Sequence, residues 1–146
     1  MKNIKILVLI LVAFVLNSGQ AYSQCLNFAK SKGFTTLDTA TYIPEGRLSA
    51  LPLSEGDNMD VYKSFFKGKT YKIVVVGADN IPQPDFKVVN FQQQVIFDSK
   101  KNNNTNSWEF TSQQNQNLII SATIPMPGDA NNIQTGCIAV IVGFKN

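Results

Sequence analysis

In the C-terminal two thirds of the chain, apolar and polar residues alternate in short runs that are separated by turn residues. Alternation with a period of two is typical of a β-strand with one buried face. Residues 69–76 place Tyr71, Ile73 and Val75 on one face. Further candidate strands are residues 58–66, 85–91, 94–98, 107–111 and 118–124. A series of short strands without an amphipathic helical period predicts an antiparallel β-sandwich or barrel.

The last candidate strand, residues 136–144, is apolar on both of its faces. This pattern is typical of a central strand that is covered on both sides. A helix is predicted only ahead of the strands, where Leu26, Phe28 and Ala29 precede Gly33, a residue type that often ends helices. The predicted fold class is therefore mainly β, a jelly-roll-like antiparallel β-sandwich with a short N-terminal helical arm.

The first 23 residues have the layout of a secretory signal peptide. Lys2 and Lys5 precede an unbroken apolar run, residues 6–16, which is too short to cross a bilayer as a helix. We therefore expect cleavage after Ser23 rather than a membrane span, and export to the periplasm or the extracellular space. The predicted organisation is a signal peptide in residues 1–23, an N-terminal arm in residues 24–47 and a β-sandwich domain in residues 48–146.

Cys25 and Cys137 are the two cysteines of the chain. In an exported protein, such a pair is most simply one disulfide, which here would tie the arm to the last strand. A lipid on Cys25 is the main alternative, but Gln24 stands where a lipobox normally has a small residue, and Cys137 would lack a partner. A redox-active pair is disfavoured because the spacing is unlike Cys-x-x-Cys.

The chain contains no histidine. This excludes histidine-based acid/base catalysis, Ser-His and Cys-His nucleophiles, and metal sites that depend on imidazole. Removal of the leader with Lys2 and Lys5 leaves 11 basic and 10 acidic residues, so that neither nucleic acid nor an anionic membrane is an expected partner. Ser64 has Lys63 and Lys67 nearby, but strand neighbours point to opposite faces. We therefore expect no enzyme activity.

Glu55, Asp57 and Asp60 form a cluster of carboxylates between two candidate strands. Calcium is bound by several hard oxygens on a flexible turn, so these residues are the candidate metal ligands. The spacing does not match an EF-hand, because Met59 occupies a position that must offer oxygen. A solvated turn is the simpler interpretation. Calcium binding is the alternative to this interpretation, and no other cofactor is expected.

Tyr62, Phe66 and Trp108 are the candidate ligand-binding side chains. A flat aromatic ring can stack on the apolar face of a sugar while amide groups bond its hydroxyls. Trp108 alternates with Phe110 in a strand, which favours a core position for it. Phe65 and Phe66 are consecutive, so one of them faces away from the core in a regular strand.

Six runs of strand residues carry a resemblance to a known family: residues 66–75, 85–88, 95–98, 108–111, 118–122 and 136–144. In this order they resemble bacterial pre-peptidase C-terminal domains, in which a Gly-x-x-Tyr strand, here Gly68 to Tyr71, opens a jelly-roll-like sandwich. The resemblance covers residues 54–144 and implies a non-catalytic accessory role. The chain departs from the family in its cysteine pair. Its composition, rich in Asn and Gln, also resembles that of exported proteins of the Bacteroidetes type.

Together these observations predict an exported, non-enzymatic β-sandwich that acts as an accessory binding or interaction module. Its partner would be a protein or a glycan at the cell envelope. The alternative is a carbohydrate-binding module, with or without the help of calcium. An exposed line of aromatic rings would favour sugar binding, a converging group of acids would favour calcium, and neither would favour contact with a protein.

Overall fold

The computed structural model describes residues 20–126, 128 and 131–145. A helical segment comes first and consists of α1 (Gln20–Phe28), a π-helical turn (Ala29–Gly33) and α2 (Phe34–Leu37). The strands that follow are β1 (Ile43–Pro44), β2 (Ser49–Ser54), β3 (Asn58–Phe65), β4 (Thr70–Gly77), β5 (Asp85–Val89), β6 (Val95–Asp98), β7 (Ser107–Thr111), β8 (Gln116–Thr123) and β9 (Thr135–Lys145).

The strands form two antiparallel sheets. Sheet A has the order β2-β9-β4-β7, with the short β1 also paired to β9, and sheet B has the order β3-β8-β5-β6. Apart from the short β1, the sheets contribute four strands each, and their orders are those of a jelly roll. The predicted mainly β fold, an antiparallel sandwich of the jelly-roll type with a short N-terminal helical arm, is confirmed.

The main core lies between the two sheets and follows the alternation of the sequence. Tyr71, Ile73 and Val75 of β4 are fully buried and face the inner side of sheet B. The rings of Phe65 and Tyr71 meet edge to face at a centroid distance of 4.8 Å, a favourable arrangement for aromatic pairs. Phe86 of β5 completes this layer. The alternation in residues 69–76 therefore arises because every second side chain of β4 points into this core.

A second core lies on the outer face of sheet A, beneath the helical arm. Val74 and Val76 of β4 and Ala139 and Ile141 of β9 are buried there. The arm contributes buried side chains to the same cluster, namely Cys25, Ala29, Leu37 and Tyr42. β9 is thus apolar on both faces because it is buried from both sides, as predicted.

Gly33 does not end the helix, contrary to the sequence-based prediction. Its φ of −70° is right-handed, and helical structure continues to Leu37. The helix ends at Asp38, which has a φ of 66° and whose N–H donates to the carbonyl of Phe34 at 3.1 Å. A Cβ atom at Gly33 would lie 1.8 Å from Cδ1 of Ile141. Glycine is therefore needed there for the close approach of the arm to the sheet, and not for a left-handed turn.

The two strands nearest the arm were not among the predicted strands. Ile43–Pro44 pairs with Gly143 and Phe144 of β9, and Ser49–Ser54 pairs with the first half of β9. Each of these strands contains a proline, Pro44 or Pro52, which interrupts the pattern of a regular strand. Proline is tolerated at sheet edges, which is where both strands lie. One strand of sheet A therefore comes from the segment predicted as the arm.

A disulfide joins Cys25 of α1 to Cys137 of β9, as the sequence predicted. The two Cα atoms are 5.2 Å apart, and the bond closes a sequence separation of 112 residues. Cys25 is buried in the second core. The disulfide therefore ties the arm to the central strand of sheet A at the point where the two pack together.

A polar cluster joins the end of the arm to strands β7 and β9 of sheet A. The hydroxyl of Tyr42 donates to Glu109, and the ammonium of Lys145 donates to both Tyr42 and Glu109 at 3.0 Å. The hydrogen bond from Tyr42, followed by that from Lys145, holds the pKa of Glu109 below its ordinary value. Burial raises the pKa of Tyr42. We call these three residues the latch.

The signal-peptide prediction, residues 1–23, falls largely on residues 1–19, which lie outside the described residues. The predicted cleavage point after Ser23 lies within α1. In the part of the chain that the structure describes, no helix is both long and apolar enough to cross a membrane. The signal peptide stays a prediction.

Replacing both cysteines, C25S together with C137S, should lower the free energy of unfolding by about 2–4 kcal/mol, since a long closed loop is opened. Urea denaturation followed by circular dichroism measures this loss. Amide hydrogen exchange should show α1 losing protection before β4 and β9 do. An unchanged midpoint together with unchanged protection of α1 would contradict the tethering role of the disulfide.

Replacing Glu109 by Gln should destabilise the protein at pH 7 and have a shrinking effect as the pH falls from about 5 toward 3. The sign follows because a lowered pKa in the folded state adds stability above the unfolded pKa, and this stability is lost on acidification. Urea midpoints across this pH range measure it. Y42F should act in the same direction, because it removes the first hydrogen bond to Glu109. A pH-independent difference would refute the role of the latch.

Candidate functional site

The two outer faces of the sandwich differ. The helical arm packs on sheet A, whereas the outer face of sheet B carries large apolar side chains in contact with solvent. Tyr62 of β3 is 63% exposed and Val95 of β6 is 53% exposed. Exposed apolar groups that lie together on one face commonly mark an interaction site. The outer face of sheet B is therefore the candidate functional site.

One row of apolar side chains crosses all four strands of sheet B. Tyr62 pairs with Ile119, Ile119 with Val89, and Val89 with Val95. Opposed residues of an antiparallel sheet have their side chains on the same face, within contact range. We call these four residues the apolar row.

A β-bulge brings the last member of this row to the outer face. Val88 opposes Phe97, but the next residue, Val89, opposes Val95, so that Ile96 is the extra residue on β6. Without the bulge, Val95 and Phe97 would share the inner face, because strand side chains alternate. Bulges often re-aim side chains in this way near sheet edges. The bulge therefore completes the apolar row.

Phe91 adds a second exposed ring to this site. It follows β5, is 57% exposed, and stacks on Tyr62 with a centroid distance of 6.5 Å and an interplanar angle of 23°. The chain reverses just after it, where Gln93 has a φ of 61° and its N–H donates to the carbonyl of Asn90 at 3.0 Å. The turn between β5 and β6 thus holds Phe91 beside Tyr62.

A polar row runs parallel to the apolar row. Asp60 pairs with Ser121, Ser121 with Lys87, and Lys87 with Asp98. A depression of about 290 Å³ lies between the two rows. Its lining comprises Asp60, Tyr62, Lys87, Val89, Gln93, Val95, Ile119 and Ser121. An apolar floor with a few polar groups along one side is the usual composition of a binding site.

Two ion pairs hold most of the charges on this face. Lys87 lies 3.7 Å from Asp98, and Lys100 lies 2.9 Å from Asp85. The hydrogen bond from Lys100 to Asp85 raises the pKa of Lys100. Both ion pairs are partly open to solvent, so each adds little to stability, and their main effect is to fix the local pattern of charge.

The three aromatic candidates from the sequence lie in different places. Tyr62 lies in the site. Phe66 is 50% exposed just beyond β3 and does not line the depression. Trp108 is packed against the main core, where its ring stacks on Phe97 at 4.9 Å and on Phe110 at 4.2 Å. Trp108 is therefore half-buried and engaged with these rings, in line with the core position that its alternation favoured.

The three acidic candidates do not converge. Glu55 accepts the backbone N–H of Gln134 at 2.8 Å, and Asp57 accepts that of Ser54 at 3.0 Å. Asp60 lies on the polar row. In the described ranges, no group of three or more acidic, cysteine or histidine side chains is placed to hold a metal ion. Glu55 and Asp57 therefore stabilise the turn between β2 and β3, and calcium binding stays an untested prediction.

Among the described residues, the hydroxyl of Ser64 donates to Asn117 at 2.6 Å. Sequence reasoning missed four apolar residues of the site, namely Val89, Phe91, Val95 and Ile119, and also the polar residues of its lining other than Asp60. The signal was present for Ile119, because it lies on the face of β8 opposite the core residues Leu118 and Ile120. Phe91 and Val95 depend on a turn and a bulge, which alternation does not show.

The fold and this face define a class of protein, an antiparallel jelly-roll sandwich with one covered face and one open amphipathic face. A solved structure with a similar fold is PliG of Aeromonas hydrophila, described as a periplasmic lysozyme inhibitor of g-type lysozyme. The two share 14% sequence identity with a TM-score of 0.50, over 68% of this chain and 85% of PliG. No protein-family model matches the chain, and no curated protein does. The similarity is one of fold.

Proposed function

We propose that this protein is an exported, non-enzymatic β-sandwich module that binds a protein partner at the cell envelope through the outer face of sheet B. The observation that carries the proposal is the apolar row, in which Tyr62 and Val95 are exposed to solvent and the ring of Tyr62 stacks on that of Phe91. Exposed aromatic anchors on a preformed surface are typical of the centres of protein interfaces.

Four further observations support the proposal. The Cys25–Cys137 disulfide is typical of proteins in an oxidising, exported compartment. PliG, which has a similar fold, is described as an inhibitor of a lysozyme, so its described partner is a protein. The resemblance to pre-peptidase C-terminal domains, which stays a prediction, points to the same accessory role. A chain without histidine also lacks the commonest catalytic acid/base.

The proposal predicts that a photoreactive p-benzoylphenylalanine at position 62, incorporated in the cell that makes the protein, forms discrete adducts with one or a few proteins. Position 62 is suited to the probe because the ring of Tyr62 is 63% exposed in the site. The matched control is the same probe at Ile43, which is 57% exposed on sheet A. Denaturing gels and mass spectrometry identify the adducts. The proposal fails if position 62 gives no protein adduct, or gives the same adducts as position 43.

A glycan is the second candidate ligand, because one feature of the depression favours it. The ring of Tyr62 stands beside Asp60, Gln93 and Ser121, whose polar groups can bond sugar hydroxyls. A glycan array with and without calcium tests this alternative. Selective binding that Y62S abolishes would establish the glycan function, and a dependence on calcium would point to the acids of the turn after β2. A clean negative in both conditions removes it.

A further inference from the structure

The outer face of sheet B carries one negative charge without a partner. Its three carboxylates are Asp60, Asp85 and Asp98. The last two form ion pairs with Lys100 at 2.9 Å and with Lys87 at 3.7 Å. Among the described residues, Asp60 forms no ion pair within 4.0 Å. The face is therefore balanced in charge except at Asp60.

Asp60 lies beside the aromatic part of the site. It lies two residues before Tyr62 on β3, so the two side chains share a face and are about 7 Å apart along the strand. Both line the same depression. A surface that covers the ring of Tyr62 must therefore also exclude water from Asp60.

Covering an unpaired carboxylate is strongly unfavourable unless the partner supplies an opposite charge or strong donors. The protein's own nearest candidate on this face is Lys87, but β8 lies between β3 and β5, and Lys87 already pairs with Asp98. The compensating charge must then come from the partner. Charge complementarity thus favours a partner surface that carries a positive charge opposite Asp60.

We propose that the partner is a basic protein segment that places a lysine or arginine against Asp60 and an aromatic or aliphatic side chain against Tyr62 and Phe91. This inference rests on the proposed function and specifies its partner. Arginine suits the position best, because its guanidinium can bond a carboxylate in a bidentate manner. The attraction also makes association sensitive to salt, because counterions screen the two charges before they meet.

A random dodecapeptide library displayed on phage, selected on the purified protein, tests the inference. Enriched peptides should carry a lysine or arginine within three residues of an aromatic or aliphatic residue. Synthetic copies of these peptides are then measured by fluorescence anisotropy at two salt concentrations. D60N should weaken binding about tenfold and remove most of its salt dependence, and Y62S should weaken it at least as much. The matched control is D79N, because Asp79 is an exposed acid that pairs with Lys32 of the arm.

The outcomes separate the inference from the proposed function. Peptides that need Tyr62 but show no enrichment in basic residues and no response to D60N would overturn the inference and leave the site in place. Peptides that bind equally well to Y62S would overturn both the inference and the site, as would a selection that enriches no peptide. An equal loss of affinity in D60N and D79N would show a general charge effect and would also overturn the inference.

Discussion

The structure depends on covering the outer face of sheet A. Its two central strands, β4 and β9, are apolar on both sides, so one sandwich core cannot bury all of their side chains. Val74, Val76 and Ile141 point away from that core and would meet water if the arm were absent. Exposure of so much adjacent apolar surface is unfavourable and leads to aggregation. The arm is therefore a third layer of the fold and not an appendage.

Two sets of interactions hold the arm on sheet A, one at each end of the arm. The disulfide joins the start of the arm to β9, and the latch of Tyr42, Glu109 and Lys145 joins its end to β7 and β9. Between them, Gly33 allows the helix to approach Ile141 closely. A covalent bond that also restricts the unfolded chain makes the docking of a short helical segment favourable, although such a segment alone would be only marginally stable.

The same asymmetry explains where the candidate binding face lies. With sheet A covered, the outer face of sheet B remains available, and its strands carry polar and apolar side chains in alternate rows. The bulge on β6 and the turn after β5 bring Val95 and Phe91 to the row that Tyr62 begins. A preformed sheet presents these groups with little loss of conformational freedom on binding, which is why such a surface suits recognition of another chain.

Much of the fold could be predicted from the sequence, and less of the site. Alternation identified β4 and β8, apolar residues on both faces identified β9, and the predicted export of the chain made the disulfide the simplest interpretation of its two cysteines. β1 and β2 were not predicted because proline disrupts their pattern. The role of Gly33 was not predicted because close packing and a left-handed turn both favour glycine.

The site was harder to predict because it depends on which residues lie opposite one another on neighbouring strands. Tyr62 and Val95 come from opposite edges of sheet B and are brought into one row by two intervening strands. A bulge of one residue reverses the face of Val95, and no local feature of the sequence fixes that bulge. The acids Glu55 and Asp57 are close in sequence to Asp60, yet Glu55 bonds the backbone of Gln134 and Asp57 bonds that of Ser54.

The central claim is that one outer face is buried by the tethered arm and the other is open. It is tested most directly by nuclear magnetic resonance with a soluble paramagnetic agent, which broadens the signals of side chains that it can approach. The account predicts strong broadening for Tyr62 and Val95 of sheet B, and little for Val74 and Ile141 of sheet A. Strong broadening of Val74 and Ile141, or protection of Tyr62 and Val95 in the free protein, would contradict it.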